Sequence, residues 1–343
     1  MRQARKLSRQ QAIAIFLTAG ILAFVVYFYV YFKPAEIIDT LLRTNLVIYS
    51  GAFTAYFMYV FFSSLVWHRL LNSIAVKISV RKALLYAWVG LFFDATVPQL
   101  GWSAEISKTY LLSKDSKIDA AKIGASVVGQ KIFVMTMTIV ALAVGLTSAL
   151  VSYSLMPLVT FLFALVLALS ILTLSIVYYV SLKPSATKTL LHFAVRVALV
   201  FRKRWNPENF TKKAEEMLRR FHADIDQLKA NPRGLVLPII FSIVSFVFEI
   251  SVIFLSFMAL NYPVRVDQVL IVFTLTGTLQ TIGVAFFGFP EIIMSASFAA
   301  LGIPSEFALS ATLLSRMVNL GFRLIVSSAA LQRAGIGILS KAK

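Results

Sequence analysis

The sequence predicts an all-α, polytopic integral membrane helical bundle with about six crossing helices, two re-entrant hairpins and an inverted repeat. Three observations predict it. Of 343 residues, 59% are hydrophobic and the mean hydropathy is +0.83, too apolar for a water-soluble domain. Eight apolar segments recur along the chain, several matching the roughly 20 residues that cross a 30 Å hydrocarbon layer. Basic residues, which give a net charge of +18, gather in only some of the connections.

The segments lie at roughly 11–32, 45–67, 83–101, 121–150, 157–181, 236–260, 267–288 and 307–333. The first follows Arg2, Arg5, Lys6 and Arg9 and ends at Lys33-Pro34. It is too long for a signal peptide and has no small-residue cleavage site, so it reads as a retained helix. The connection 68–82 carries Arg69, Lys77, Arg81 and Lys82 without an acid. The stretch 183–234 carries twelve Lys or Arg against five acids. Both belong on the cytoplasmic side. Because the fifth segment must end at that basic stretch, 83–101 has to enter and leave on one side, broken at Pro98 and Gly101. By the same reckoning 267–303 dips back and returns, broken at Gly288 and Pro290. Irregular backbone at such depth is tolerated where protein or a wet cavity covers it.

The chain therefore reads as one membrane domain over 1–343. Residues 45–150 form a first repeat and 236–333 a second of opposite orientation. Between them, 183–234 is a basic cytoplasmic segment whose Leu218, Phe221, Ile225 and Leu228 fall at helical spacing, suited either to lying on an anionic membrane surface or to a short cytosolic helical hairpin with a solvated face. Eight full crossings with parallel repeats is the alternative. Both termini are expected in the cytoplasm and the protein in the plasma membrane. Gly124-Ala125-Ser126 and Ser310-Ala311-Thr312, set apart by the same offset as Glu105 and Glu291, add small residues that let helices approach.

Ionisable residues inside apolar segments cost roughly 2.5–3.5 kcal/mol each, which makes them functional candidates. Glu105 is followed by Lys131, and Glu291 by Arg316, at spacings that differ by a single position. Lys108 stands one turn after Glu105, and Gln130 beside Lys131. A helix restarting after Gly101 would aim its N-terminal amides at an anion. Arg316, Asn319, Arg323 and Ser327 fall on one stripe of an ideal helix. Glu249 is a neutralising partner for Arg323, and Lys131 or Lys108 for Asp94. The candidate headgroup-binding residues are thus Glu105, Lys108, Lys131, Glu291, Arg316 and Arg323, supported by Asp94, Gln130, Glu249 and Asn319. The plain alternative is that these pairs only fasten helices together.

The chain has no cysteine, which excludes disulfides and thiolate metal sites. His68, His192 and His222 are far apart, and no metal or other cofactor is expected. No HExxH, GxSxG or P-loop pattern occurs, so no catalytic residue is assigned. The basic excess fits membrane topology and anionic lipid rather than nucleic acid.

Around the first hairpin, Pro98, Gly101, Glu105, Lys108, Leu111-Leu112 and the later Ala125-Ser126 leading to Gln130-Lys131 resemble the lysylphosphatidylglycerol synthetase transmembrane region, also called the flippase-like or uncharacterised protein family 0104 membrane proteins. Gly288-Phe289-Pro290-Glu291, Leu301-Gly302 and Arg316 resemble its C-terminal half, so the likeness runs from about residue 45 to 333. The family's double glycine is reduced here to Gly101 followed by Trp102 and Ser103, its arginine is Lys108, and its Glu-Arg is Gln130-Lys131. Lysine lacks the bidentate fork of arginine, so headgroup choice is expected to differ. The resemblance implies movement of a phosphate-bearing, aminoacylated or glycosylated lipid between leaflets. It implies an anionic or zwitterionic lipid as partner, with a cytosolic or membrane lipid-modifying enzyme as a second. In the synthetases a separate soluble domain attaches the amino acid. Nothing after residue 343 supplies one, which points away from lysyl transfer by this chain alone. The rival expectations are a membrane subunit of an aminoacyl- or polyprenyl-glycosyl-lipid transferase system, and a scaffold that moves no lipid.

Overall fold

Fourteen helical segments, thirteen α-helices and one π-helical stretch joining two of them, fill the residues that the computed structural model describes, namely 34–96, 102–152, 157–201, 207–281 and 288–341. No strand occurs among them. The first apolar segment at 11–32, with the N-terminus, and the predicted breaks Pro98 and Gly101 lie outside the described residues. In order the helices are α1 (Pro34–Leu42), α2 (Leu46–Ser73), α3 (Val80–Thr96), α4 (Ser103–Ser116), α5 (Ala120–Ser152) and α6 (Pro157–Leu182). Next come α7 (Pro184–Phe201), α8 (Glu208–Ala230), α9 (Pro232–Ala259), α10 (Val266–Thr281) and α11 (Phe289–Ala300). The last span is α12 (Ser305–Arg316), a π-helical stretch Met317–Phe322, and α13 (Arg323–Lys341). Five spans are long and apolar enough to cross a bilayer: α2, α5, α6, α9 and the run from Ser305 through Gly335. The chain is a polytopic all-α membrane bundle.

Helices α2 and α9 form its axis. Each has 28 residues, starts after an Asn N-cap, and is offset from the other by the same 186 residues that separate Tyr59 from Ser245. Asn45 accepts hydrogen bonds from the Val47 and Ile48 amides, and Asn231 from the Gly234 amide, satisfying donors that a helix start leaves over. The C-termini match as well. Val76 N–H bonds Leu71 C=O across a left-handed Ala75 (φ 59°), and Tyr262 N–H bonds Phe257 C=O across a left-handed Asn261 (φ 55°). The two helices run antiparallel. Asn45 N–H donates to Ala259 C=O at one end, and Ser245 Oγ donates to Tyr59 C=O at 3.0 Å, near the midpoint of both. Lipid supplies no hydrophobic force between helices, so close approach depends on small residues. Ala52, Ala55, Ser245, Ser256 and Ala259 supply them, all buried.

The bundle has two distinguishable ends. The loop after α2 and the turn between α4 and α5 share one, where Lys82 at the start of α3 meets Asp115 and Ser116 at the end of α4. The other end holds the start of α2, the end of α9, and Gln268 of α10, which donates to Leu301 C=O after α11. The α3–α4 pair thus leaves and rejoins one end, and the α10–α11 pair the other. These four helices have 17, 14, 16 and 12 residues. The first pair packs tightly because Gly90 has no side chain. A Cβ there would lie 2.9 Å from the Ala104 carbonyl oxygen, a backbone atom that cannot step aside. Gly90→Ala is therefore expected to destabilise the protein by about 1–3 kcal/mol through overpacking, read as a lowered thermal midpoint. At the second break Gly288 adopts φ 94°, a region that favours glycine.

Helices α7 and α8 bear on the two readings of the segment 183–234. The Ile225 and Leu228 stripe of α8 does not lie on a membrane surface. Both are buried in a core with Leu70, Ile123 and Trp67, and Leu228 reaches within contact range of the position where Gly129 would carry a Cβ. The segment is a helical hairpin docked on the bundle, with its charged face outward. Two groups in this dock titrate. Burial lowers the His222 pKa from 6.5, against the opposing effects of the Ser181 backbone and Asp226, with Lys229 adding to the fall. Asp119 is held below its usual range by the Ala121 amide and by Arg220. A folded-state pKa below the unfolded value means stability is present above the unfolded value and is lost as pH falls. Docking of α8 should hence weaken below about pH 6.5, first through His222 and then, towards pH 4, through Asp119. Hydrogen exchange of 208–230 at pH 7.5, 5.5 and 4 checks this, with faster exchange at each step down.

Candidate functional site

The polar residues of the apolar helices converge near the middle of α2 and α9. Tyr56, Tyr59 and Ser63 project from α2, and Glu249 from α9, one turn past the Ser245–Tyr59 contact. Tyr59 donates a hydrogen bond to Glu249, whose charge is also felt by Lys131 and Arg323.

Helices α4 and α5 bring the first predicted set together. Glu105 lies in the first turn of α4, and its Oε1 is 3.3 Å from Lys131 Nζ of α5. Lys131 also lies over the Trp102 ring, 5.2 Å from its centroid. Lys108, one turn after Glu105, directs its ammonium group to Gln130. It is buried, donates to Gln130 Oε1 at 2.8 Å, and lies 5.0 Å from the Trp67 ring centroid. Gln130 in turn donates to the Ser63 carbonyl and hydroxyl, tying α5 to α2. Glu105 Oε2 is buried and has no hydrogen-bond partner among the described residues. A buried carboxylate oxygen left unmatched is costly, and it marks a position where a donor belongs.

The second set is arranged differently. Glu291 also lies in the first turn of its helix, at the same offset from Glu105 that separates Ser245 from Tyr59, but both its oxygens are taken. Oε1 accepts from Arg316 Nε at 2.6 Å and Oε2 from the Gly288 amide at 3.0 Å, capping α11. In this register Gln130, not Lys131, is the counterpart of Arg316, which is why the two acid–base spacings differ by one.

Two sequence pairings are corrected. Asp94 does not pair with Lys131 or Lys108, and Glu249 is not the carboxylate bonded to Arg323. Arg323 Nη2 donates to Asp94 Oδ2 at 2.6 Å, Arg323 Nε and Nη2 both donate to Leu91 C=O, and Ser103 donates to Asp94 Oδ1 at 3.3 Å. The single stripe through Arg316, Asn319, Arg323 and Ser327 is also broken. The π-helical Met317–Phe322 holds Asn319 and changes the helical phase between the two arginines. One turns to Glu291 and the other to α3. Sequence reasoning missed Tyr56, which accepts from Arg323, together with Tyr59, Trp67 and Trp102. The readable signal was a tyrosine pair at i and i+3 inside an apolar helix.

The site gathers three cations (Lys108, Lys131, Arg323) and three carboxylates (Asp94, Glu105, Glu249) from both halves of the sequence, while Arg316 and Glu291 pair with each other at the second hairpin. Among the described residues no three His, Asp or Glu are grouped to hold a metal ion.

The profile of the lysylphosphatidylglycerol synthase TM region matches residues 11–327. The chain belongs to this family. A UPF0104 membrane protein of Methanocaldococcus jannaschii is 25% identical over 303 residues, covering 86% of this chain and 87% of its own length. A UPF0104 membrane protein of Pyrococcus horikoshii is 22% identical over 263 residues, covering 74% and 77%. No solved structure matches at a significant level. Membership of the family leaves the function to be argued from the site.

Proposed function

We propose that this chain is an integral membrane lipid translocase, flippase-like, that moves a phosphate-bearing, aminoacylated or glycosylated lipid between leaflets. One observation carries the reading. A charge-balanced polar site stands at mid-depth in the bundle, built by both halves of the sequence, and Glu105 keeps a buried oxygen there with no donor. Such sites at the midplane between related halves suit a substrate that needs both phosphate and amine recognition. Lys131, Lys108 and Arg323 would bind phosphate oxygens. Glu105 and Glu249 would bind an amine or hydroxyls, while Glu291–Arg316 braces the second hairpin. The acyl chains remain in lipid.

The antiparallel packing of α2 and α9 at a fixed offset along the chain supports an inverted repeat, 45–150 against 236–333. The hairpins that rejoin the end they leave support re-entrant α3–α4 and α10–α11. Rocking of one half on the other would expose the site alternately. The end bearing Lys77, Lys82, Lys122 and the α7–α8 hairpin would face the cytoplasm by its charge, with the protein in the plasma membrane. A lipid-modifying enzyme would supply or consume the lipid.

The test is reconstitution. Purified protein in proteoliposomes should accelerate bilayer crossing of headgroup-labelled lipids, with rates that depend on the headgroup. Rates equal to those of empty liposomes for anionic, zwitterionic and aminoacylated lipids would rule the function out.

A further inference from the structure

We propose that the bundle carries a second anion site, a groove for a phosphate-bearing ligand between the loop after α2 and the α4–α5 turn. It is separate from the mid-depth site, because Glu105 begins α4 and this groove lies at the other end of the same helix. The groove encloses about 660 Å³, within the range of small-ligand sites. Lys77, Lys82 and Lys122 line it against a single acid, Asp115, with Ser79 and Ser116 between them.

The acid is already engaged. Asp115 accepts Lys82 Nζ at 2.5 Å and the Tyr86 hydroxyl, so Lys82 is held as part of the wall. Lys77 and Lys122 remain as the lining's excess positive charge. Beyond the lining, Asp119 and Asp224 face Lys122, but Asp119 is bridged to Arg220 at 2.8 Å. Both serines act as acceptors within the protein. Ser79 Oγ takes the Lys82 amide and Ser116 Oγ takes Lys82 Nζ, which leaves each hydroxyl proton for an acceptor outside. Two ammonium groups and two hydroxyl donors around a headgroup-sized space are the chemistry of phosphate recognition. The phosphate could belong to a lipid headgroup or to a soluble compound, since the groove lies at the end of the bundle and is open.

Wild-type protein in phosphatidylcholine nanodiscs would be compared with Lys77→Ala/Lys122→Ala and with Lys77→Arg/Lys122→Arg. Inorganic phosphate is titrated calorimetrically, and retained phosphatidylglycerol is counted by native mass spectrometry after its addition to the discs. The alanine pair should weaken binding at least tenfold in one arm or both, at unchanged thermal midpoint, and the arginine pair should restore it. Loss in the lipid arm alone assigns a headgroup. Loss in the phosphate arm alone assigns a soluble phosphate compound. Equal binding by wild type and the alanine pair in both arms, or no binding by either, overturns the proposal.

Discussion

Arg323→Ala should lower the stability of the folded protein by about 3 kcal/mol or more, the larger of the two expected stability effects. Its guanidinium satisfies Asp94 and the Leu91 carbonyl together, and it contacts the Tyr56 hydroxyl. Truncation leaves the part-buried Asp94 carboxylate with only the Ser103 hydroxyl as donor and takes a second donor from the Leu91 carbonyl, and breaking a buried pair from one side costs roughly 3–5 kcal/mol. Asp94→Ala alone should also destabilise, while the double variant should recover part of the loss. A double-mutant cycle read by thermal unfolding in detergent checks this. Strict additivity of the two single changes would mean that the pair does not couple α3 to α13.

The second large effect falls on transport. Glu105→Gln keeps the shape of the side chain but removes the charge that faces Lys131, and it places an amide where the unmatched oxygen stands. Headgroup-dependent translocation should fall at least tenfold, about 1.4 kcal/mol in the barrier. The control is Glu105→Gln combined with Lys131→Met. If the pair only fastens α4 to α5, removing both charges restores the wild-type rate. If Glu105 binds the substrate, the double variant stays as slow as the single one.

Most of the architecture was legible in the sequence because hydropathy marks each long helix directly. Seven of the eight apolar segments correspond to described helices, and the Gly288-Phe289-Pro290 break is where α11 starts. The ionisable residues were legible for the same reason, being few in an apolar background. Their partners were not. Side-chain pairing depends on helix phase, and the π-helical stretch between Arg316 and Arg323 changes that phase without any proline to announce it. Asp94 was assigned to cations close in sequence, yet its partner stands 229 residues away. The α8 stripe was ambiguous for another reason. Ile225 and Leu228 at helical spacing suit a lipid surface and a protein core equally well, and only the neighbouring Leu70 and Gly129 decide between them.

Because the chain has no cysteine, single introduced cysteines report on sidedness without background. Lys114→Cys marks the end of α4 and Ser305→Cys the start of α12, both at exposed positions on opposite ends of the bundle. In intact cells or sealed vesicles, labelling with a membrane-impermeant maleimide should reach Ser305→Cys from outside and Lys114→Cys only after permeabilisation. Labelling of both from the same side would contradict two oppositely oriented halves around a shared polar site.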